Sequence, residues 1–148
     1  MDIKTQLNEA LKAAMKSGDE VRKRTVRMAL AAIKQAEVDR QMTLDESAVL
    51  GILQKEIKIR REALEEARVA NRPDLAAEAE AEISVLQAFL PQALSPDELH
   101  ALVQATIAEV GAVSLADMGK VMKVLMPKVA GRVPGDQVSQ AVRELLQK

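Results

Sequence analysis

The chain has 148 residues, 48% of them apolar, with a formal net charge of −1. That length can bury a core as one domain or as two small subdomains, and the charge balance excludes an indiscriminate nucleic-acid binder. There is no Cys, Trp or Tyr, and Phe89 is the one aromatic residue, which excludes disulfides, thiolate nucleophiles and cysteine-based zinc sites and favours packed helices over a β-sandwich.

The first predicted helix covers about residues 2–17, with Ile3, Leu7, Leu11 and Met15 (or Ala14) at helical spacing and Ser17-Gly18 as its stop. Asp19 caps a second helix to about Arg40, with Val21, Thr25, Met28, Ala32 and Ala36 along one face. Thr43-x-x-Glu46 reads as a capping box for a third, long helix reaching about Ala70. Its apolar positions, Val49, Ile52, Leu53, Ile57, Ile59 and Leu64, cover more than one face, so neighbours on two sides are expected. After the break at Asn71-Arg72-Pro73, a fourth helix over about 73–90 packs through Leu75, Ala79, Ile83, Leu86 and Leu90.

Pro91 to Leu94 marks a boundary, and Ser95-Pro96-Asp97-Glu98 combines an N-cap, a Pro at the first helical position and a capping-box Glu. A fifth helix runs to Val110 with Leu99, Leu102, Val103 and Ile107 inward, and Gly111 ends it. Ser114-x-x-Asp117 opens the sixth, which Pro127 is expected to stop. The seventh covers about Gly135 to Gln147 through Val138, Ala141, Val142 and Leu145. The expected fold is all-α: a four-helix N-terminal part, residues 1–93, followed by a three-helix C-terminal subdomain, residues 94–148.

Charge is unevenly placed. Residues 1–72 hold 15 Lys/Arg against 12 Asp/Glu, residues 73–110 none against 7, and residues 111–148 hold 6 against 3. A mildly basic C-terminal piece thus follows an acidic segment, a weak pointer to nucleic acid. Within that piece, Asp117–Asp136 is unusual: Lys120 and Lys123 lie on a helix face next to the apolar positions, and Lys128 and Arg132 flank the small pair Ala130-Gly131. Four cations delivered to a tight, glycine-permitted turn suit an anion such as a backbone phosphate, with N–H groups near Gly131 as a further contact. On charge alone, the ordinary reading is that lysines near a helix C-terminus complement its dipole and stay solvated. Gly119 is expected to serve a close helix–helix approach, and Met118, Met122 and Met126 to be core. The clusters Arg22, Lys23, Arg24, Arg27 and Lys55, Lys58, Arg61 read first as solvated helix faces.

The catalytic inventory is poor. His100 is the one histidine, so Ser-His and Cys-His machinery has no basis. A phosphate loop of the form GxxxxGK[ST] is missing: Val121 follows Gly119-Lys120, and Ser114 occupies the first glycine position. No catalytic residue, cofactor or metal site is expected. No apolar run approaches the roughly 20 residues of a membrane span, and the N-terminus lacks the basic-then-apolar order of a secretory signal, so a cytoplasmic protein is expected.

The stretch Met118-Gly119-x-x-Met122-x-x-Leu125-Met126-Pro127-Lys128-x-x-Gly131-Arg132 resembles the signature of the YqeY-like family. Leu90-Pro91-x-x-Leu94-Ser95-x-x-Glu98-Leu99 and Arg27-Met28-x-x-Ala31-Ala32-Ile33-Lys34 resemble the same family, so the likeness spans nearly the whole chain. One departure is Pro134, where the family carries an acidic helix cap. The family is similar to the C-terminal tail domain of the B subunit of the aspartyl/glutamyl-tRNA amidotransferase, the part that holds the tRNA. The resemblance implies a non-catalytic tRNA-binding or amidotransferase-related accessory protein. Any carbon–nitrogen ligase activity with glutamine as amido donor would belong to the enzyme complex. It also implies Lys120, Lys123, Lys128, Gly131 and Arg132 as RNA contacts and a tRNA-processing or aminoacylation enzyme as a possible partner. From a different class, a helical protein–protein adaptor would dock a partner through the third helix and the acidic segment 73–98.

Overall fold

A computed structural model describes residues 1–147, and all regular structure among them is helical. The elements are α1 (Ile3–Ser17), α2 (Glu20–Arg40), α3 (Glu46–Val69), α4 (Pro73–Gln87), α5 (Pro96–Val110), a 3₁₀ turn (Leu115–Asp117), α6 (Met118–Val129) and α7 (Gly135–Leu146). The chain divides into two compact units, Met1–Leu90 with α1 to α4 and a second from Pro91 onward with α5 to α7.

Helix ends follow short-range chemistry. The carboxylates of Asp2, Asp19 and Asp45 accept from the N–H groups of Thr5, Arg22 and Ala48, and Ser95 and Glu98 form a reciprocal capping box. Gly18 and Gly111 end α1 and α5 at φ +75° and +70°, the left-handed region that glycine enters without strain.

Three expectations change. Asp45, not Thr43, caps α3, because the Glu46 carboxylate that a capping box would need accepts instead from the Ile3 N–H at 3.0 Å. It thereby satisfies an open donor at the start of α1 from 43 residues away. The buried face of α2 is Thr25, Val26, Ala29 and Ile33, one step round from the expected stripe, and Met28 is left half exposed beside the Arg60 guanidinium. Pro127 does not stop α6, which continues to Val129. A proline this close to the end forfeits one backbone bond, while Val121, Leu125 and Val129 on the same face are fully buried and hold the last turn in place.

In the first unit, Leu7, Val26, Ile33, Val49, Leu53 and Leu86 are fully buried, and the α1–α2 and α3–α4 hairpins make its main contacts. In the second, Leu99, Val103, Val121, Leu125, Val129, Val133, Val138, Val142 and Leu146 form one apolar core.

Candidate nucleic-acid interface

That apolar core fixes α6. With Val121, Leu125 and Val129 turned inward at i, i+4 and i+8, the opposite face must meet solvent, and it carries Lys120 and Lys123, with Lys128 exposed at the flank of the packed face. Met118, Met122 and Met126 pack against the core from the side, as the spacing predicts.

The sequence-predicted cations separate by what they already hold. Lys123 has no hydrogen bond or ion pair among the described residues, and neither does Lys120, though Lys120 lies near enough to Asp117 to favour its charged form. The Asp117 carboxyl is held below its ordinary range first by the Val113 N–H at 2.9 Å, with the Ser114 N–H and the Lys120 charge adding to it. Lys128 pairs with Glu109 at 3.0 Å, both side chains largely exposed; such a pair contributes less than about 1 kcal/mol and exchanges readily for another anion.

Arg132 is placed differently. Its Nε donates to the Gln92 carbonyl at 2.9 Å, and its own carbonyl accepts from the Leu94 N–H at 3.2 Å. Arg132 thus binds the 91–94 segment to the turn between α6 and α7. Its charge also helps to hold the Glu98 carboxyl low, after the larger effects of the Ser95 N–H and hydroxyl. Gly131 is buried and adopts φ +75°, so its role in the structure is the turn itself. Past it, α7 begins at Gly135 after Pro134 with no side-chain cap. The sequence shows a basic turn but not that the Gln92 carbonyl occupies its arginine, since that contact crosses 40 residues.

Gly119 reverses its expectation. A methyl group placed on it meets nothing within 4 Å, so no neighbouring helix requires a glycine there. It lies exposed in the first turn of α6, beside Lys120 and one turn before Lys123.

In the first unit half of the eight arginines are committed. Arg24 pairs with Glu78 and Glu82, Arg68 with Glu80, and Arg72 with Asp74. Arg60 is buried, with Glu56 at 3.3 Å and Glu82 at 3.2 Å. Lys55, Lys58 and Arg61 are exposed without an ion-pair partner among the described residues, as are Arg22 and Arg27. His100 is exposed on α5 and lines a shallow groove of about 500 Å³ with Leu99, Ala141, Glu144 and Leu145. No group of three His, Asp or Glu among the described residues could hold a metal ion.

The chain matches the family described as "Yqey-like protein" over residues 4–146, and it belongs to that family. It is similar to "Altered inheritance of mitochondria protein 41, mitochondrial" of Lachancea thermotolerans, 36% identical over 112 residues, covering 74% of this chain and 60% of that protein. The proteins of that name from Vanderwaltozyma polyspora and Eremothecium gossypii are 35% and 33% identical, over 66% and 94% of this chain and 55% and 74% of theirs. The chain therefore spans less than two thirds of the length of the first two of these relatives. Their names place those proteins in mitochondria, which overturns the expectation of a cytoplasmic protein. That expectation rested on composition and on a missing secretory pattern, and neither distinguishes one aqueous compartment from another.

Proposed function

We propose that this YqeY-like chain binds tRNA through its C-terminal unit, by contacts to backbone phosphates and without a catalytic step of its own. The observation that carries the reading is the outer face of α6, where Lys120 and Lys123 stand exposed and unpaired while the inner face is wholly packed. Lys128 joins them when a phosphate displaces Glu109. Arg132 and Gly131 support the site from behind by fixing the turn. With no aromatic residue in this unit, bases have no stacking platform, so recognition is by backbone and shape. Accumulated positive charge on one packed helix is what counterion-releasing phosphate contacts require. An adaptor docking through the acidic segment is less well supported, because Asp74, Glu78, Glu80 and Glu82 already face arginines of their own unit.

The test is binding of unfractionated tRNA to the full chain over a range of KCl. K120E/K123E is expected to weaken binding and to reduce the salt slope by about one per lysine. K12E/K16E, an equal charge change on α1, serves as the control and should act weakly. Equal effects of both pairs, or none from K120E/K123E, would remove α6 as the site.

A further inference from the structure

Gly51 lies in the second turn of α3, exposed, and a methyl group placed on it meets nothing within 4 Å. Glycine inside a helix is less favourable than alanine by roughly 0.5–1 kcal/mol. Its φ is not positive, and no close helix approach explains it. The chain's own fold has no use for a glycine at this position.

What surrounds it is cationic. Spacings of four and seven residues place Lys55 and Lys58 on the same exposed face of α3 as Gly51, and Arg61 follows three residues on. None of the three has an ion-pair partner among the described residues, as is also true of Arg22, Arg27 and Arg40 on α2, whereas Arg24, Arg60, Arg68 and Arg72 of the same unit are engaged with carboxylates. Glu62, one turn beyond Lys58, ends the basic run. The α6 surface has the same register: an exposed, uncrowded Gly119 with Lys123 one turn later. Two helices in separate units thus repeat a bare backbone patch followed by free lysines, and in neither does the chain itself account for the glycine.

We infer that the Gly51–Lys55–Lys58 ridge of α3 is a second contact surface for RNA backbone phosphates. A phosphate approaches the helix backbone closely at Gly51, where no side chain intervenes, and the two ammonium groups neutralise its neighbours along the strand. An anionic membrane fits less well, since adhesion there needs a broad apolar face interleaved with the cations. Ile59 is the one large apolar side chain exposed beside this ridge. The inference takes RNA as the ligand from the reading above, but it does not depend on α6 being the site.

The experiment uses the full chain, tRNA as probe, and the pairs K55E/K58E and K120E/K123E separately and combined. K55E/K58E is expected to lower affinity roughly tenfold and to reduce the salt slope by about one per lysine, additively with K120E/K123E. G51Q should hold or raise the melting temperature, because Gln favours helix, yet weaken tRNA binding severalfold. If K55E/K58E leaves affinity and slope unchanged in a folded protein, the ridge is refuted while the α6 reading can survive. Loss through K55E/K58E with K120E/K123E silent would leave the ridge standing and remove α6. Should K55E/K58E unfold the chain, K55Q/K58Q carries the same test. Capture by vesicles rich in anionic lipid, lost in K55E/K58E while tRNA binding persists, would overturn the inference in favour of a membrane surface.

Discussion

The two units spend their charged residues in opposite ways. In the N-terminal unit, arginines from α2 and α3 reach across to the carboxylates of α4, and one of them, Arg60, is buried among Glu56 and Glu82. That unit also encloses two polar atoms without a hydrogen bond. They are the Thr25 hydroxyl and the Arg60 Nε, which is near enough to Glu82 for ionic attraction but poorly directed for a bond. Among its described residues the C-terminal unit buries only aliphatic side chains and Thr106, whose hydroxyl donates to the Leu102 carbonyl at 2.8 Å. Its lysines stay at the surface. Arg60 and its carboxylate partners are drawn into the packing of the first unit, while Lys120 and Lys123 of the second stand exposed without an ion pair among the described residues. Lys55, Lys58 and Arg61 of α3, and Arg22 and Arg27 of α2, are exposed and unpaired among the described residues in the first unit as well.

This contrast has its largest consequence at Arg60. R60A leaves Glu56 without its partner in a site of low exposure and leaves Glu82 with Arg24 alone, and the expected loss is about 3 kcal/mol, read from urea unfolding of the full chain. Replacing the pair by R60M/E82L should recover most of that, since well-packed apolar residues often equal a buried ion pair. A loss under about 1 kcal/mol in R60A would mean the network is a surface feature, and the contrast would fail. Next in size is L125A, at the centre of the aliphatic core. Removal of a fully buried leucine side chain there should cost about 3 kcal/mol, seen as faster amide exchange in α5 to α7.

The same contrast explains which parts of the molecule could be read from sequence. Apolar periodicity and local caps give much of the C-terminal unit, since the Ser95–Glu98 box, the Gly111 stop and the inward faces of α5 and α7 are all short-range features, while the readings of Pro127 as a stop and of Gly119 as a packing glycine failed there. In the N-terminal unit the errors fall where a polar side chain bonds far along the chain. Glu46 looks like part of its own helix's capping box but accepts from Ile3, and Met28 looks like core but lies beside Arg60. Helical spacing sets Lys120 and Lys123 off the apolar face, next to it by the sequence reading and opposite the buried stripe Val121, Leu125 and Val129 in the structure. The commitment of Arg132 to the Gln92 carbonyl was not legible, because no local pattern encodes a contact of that range.

A smaller effect, of opposite sign, separates the units again. The Thr25 hydroxyl is fully buried with no bond, so T25V should stabilise the protein by about 1 kcal/mol as an unsatisfied polar group is removed. Thr106 is also fully buried but is satisfied by its own helix, so T106V should gain little or nothing. A similar gain in both would mean that burial, and not the missing partner, sets the cost.

The smallest expected change bears most directly on binding. At Gly18 and Gly111 a positive φ requires glycine, so alanine there should destabilise by about 1 kcal/mol or more. Gly119 has neither a positive φ nor a neighbour within 4 Å, so G119A should stabilise α6 by roughly 0.5–1 kcal/mol, visible as a rise in melting temperature. Neither backbone conformation nor a packed neighbour within the chain accounts for Gly119. If G119A gains stability and G119Q weakens tRNA binding, the glycine is there to let a ligand reach the helix beside Lys120 and Lys123. If both variants bind tRNA as tightly as the parent chain, close approach at this point is not part of recognition, and the lysines act at longer range through charge alone.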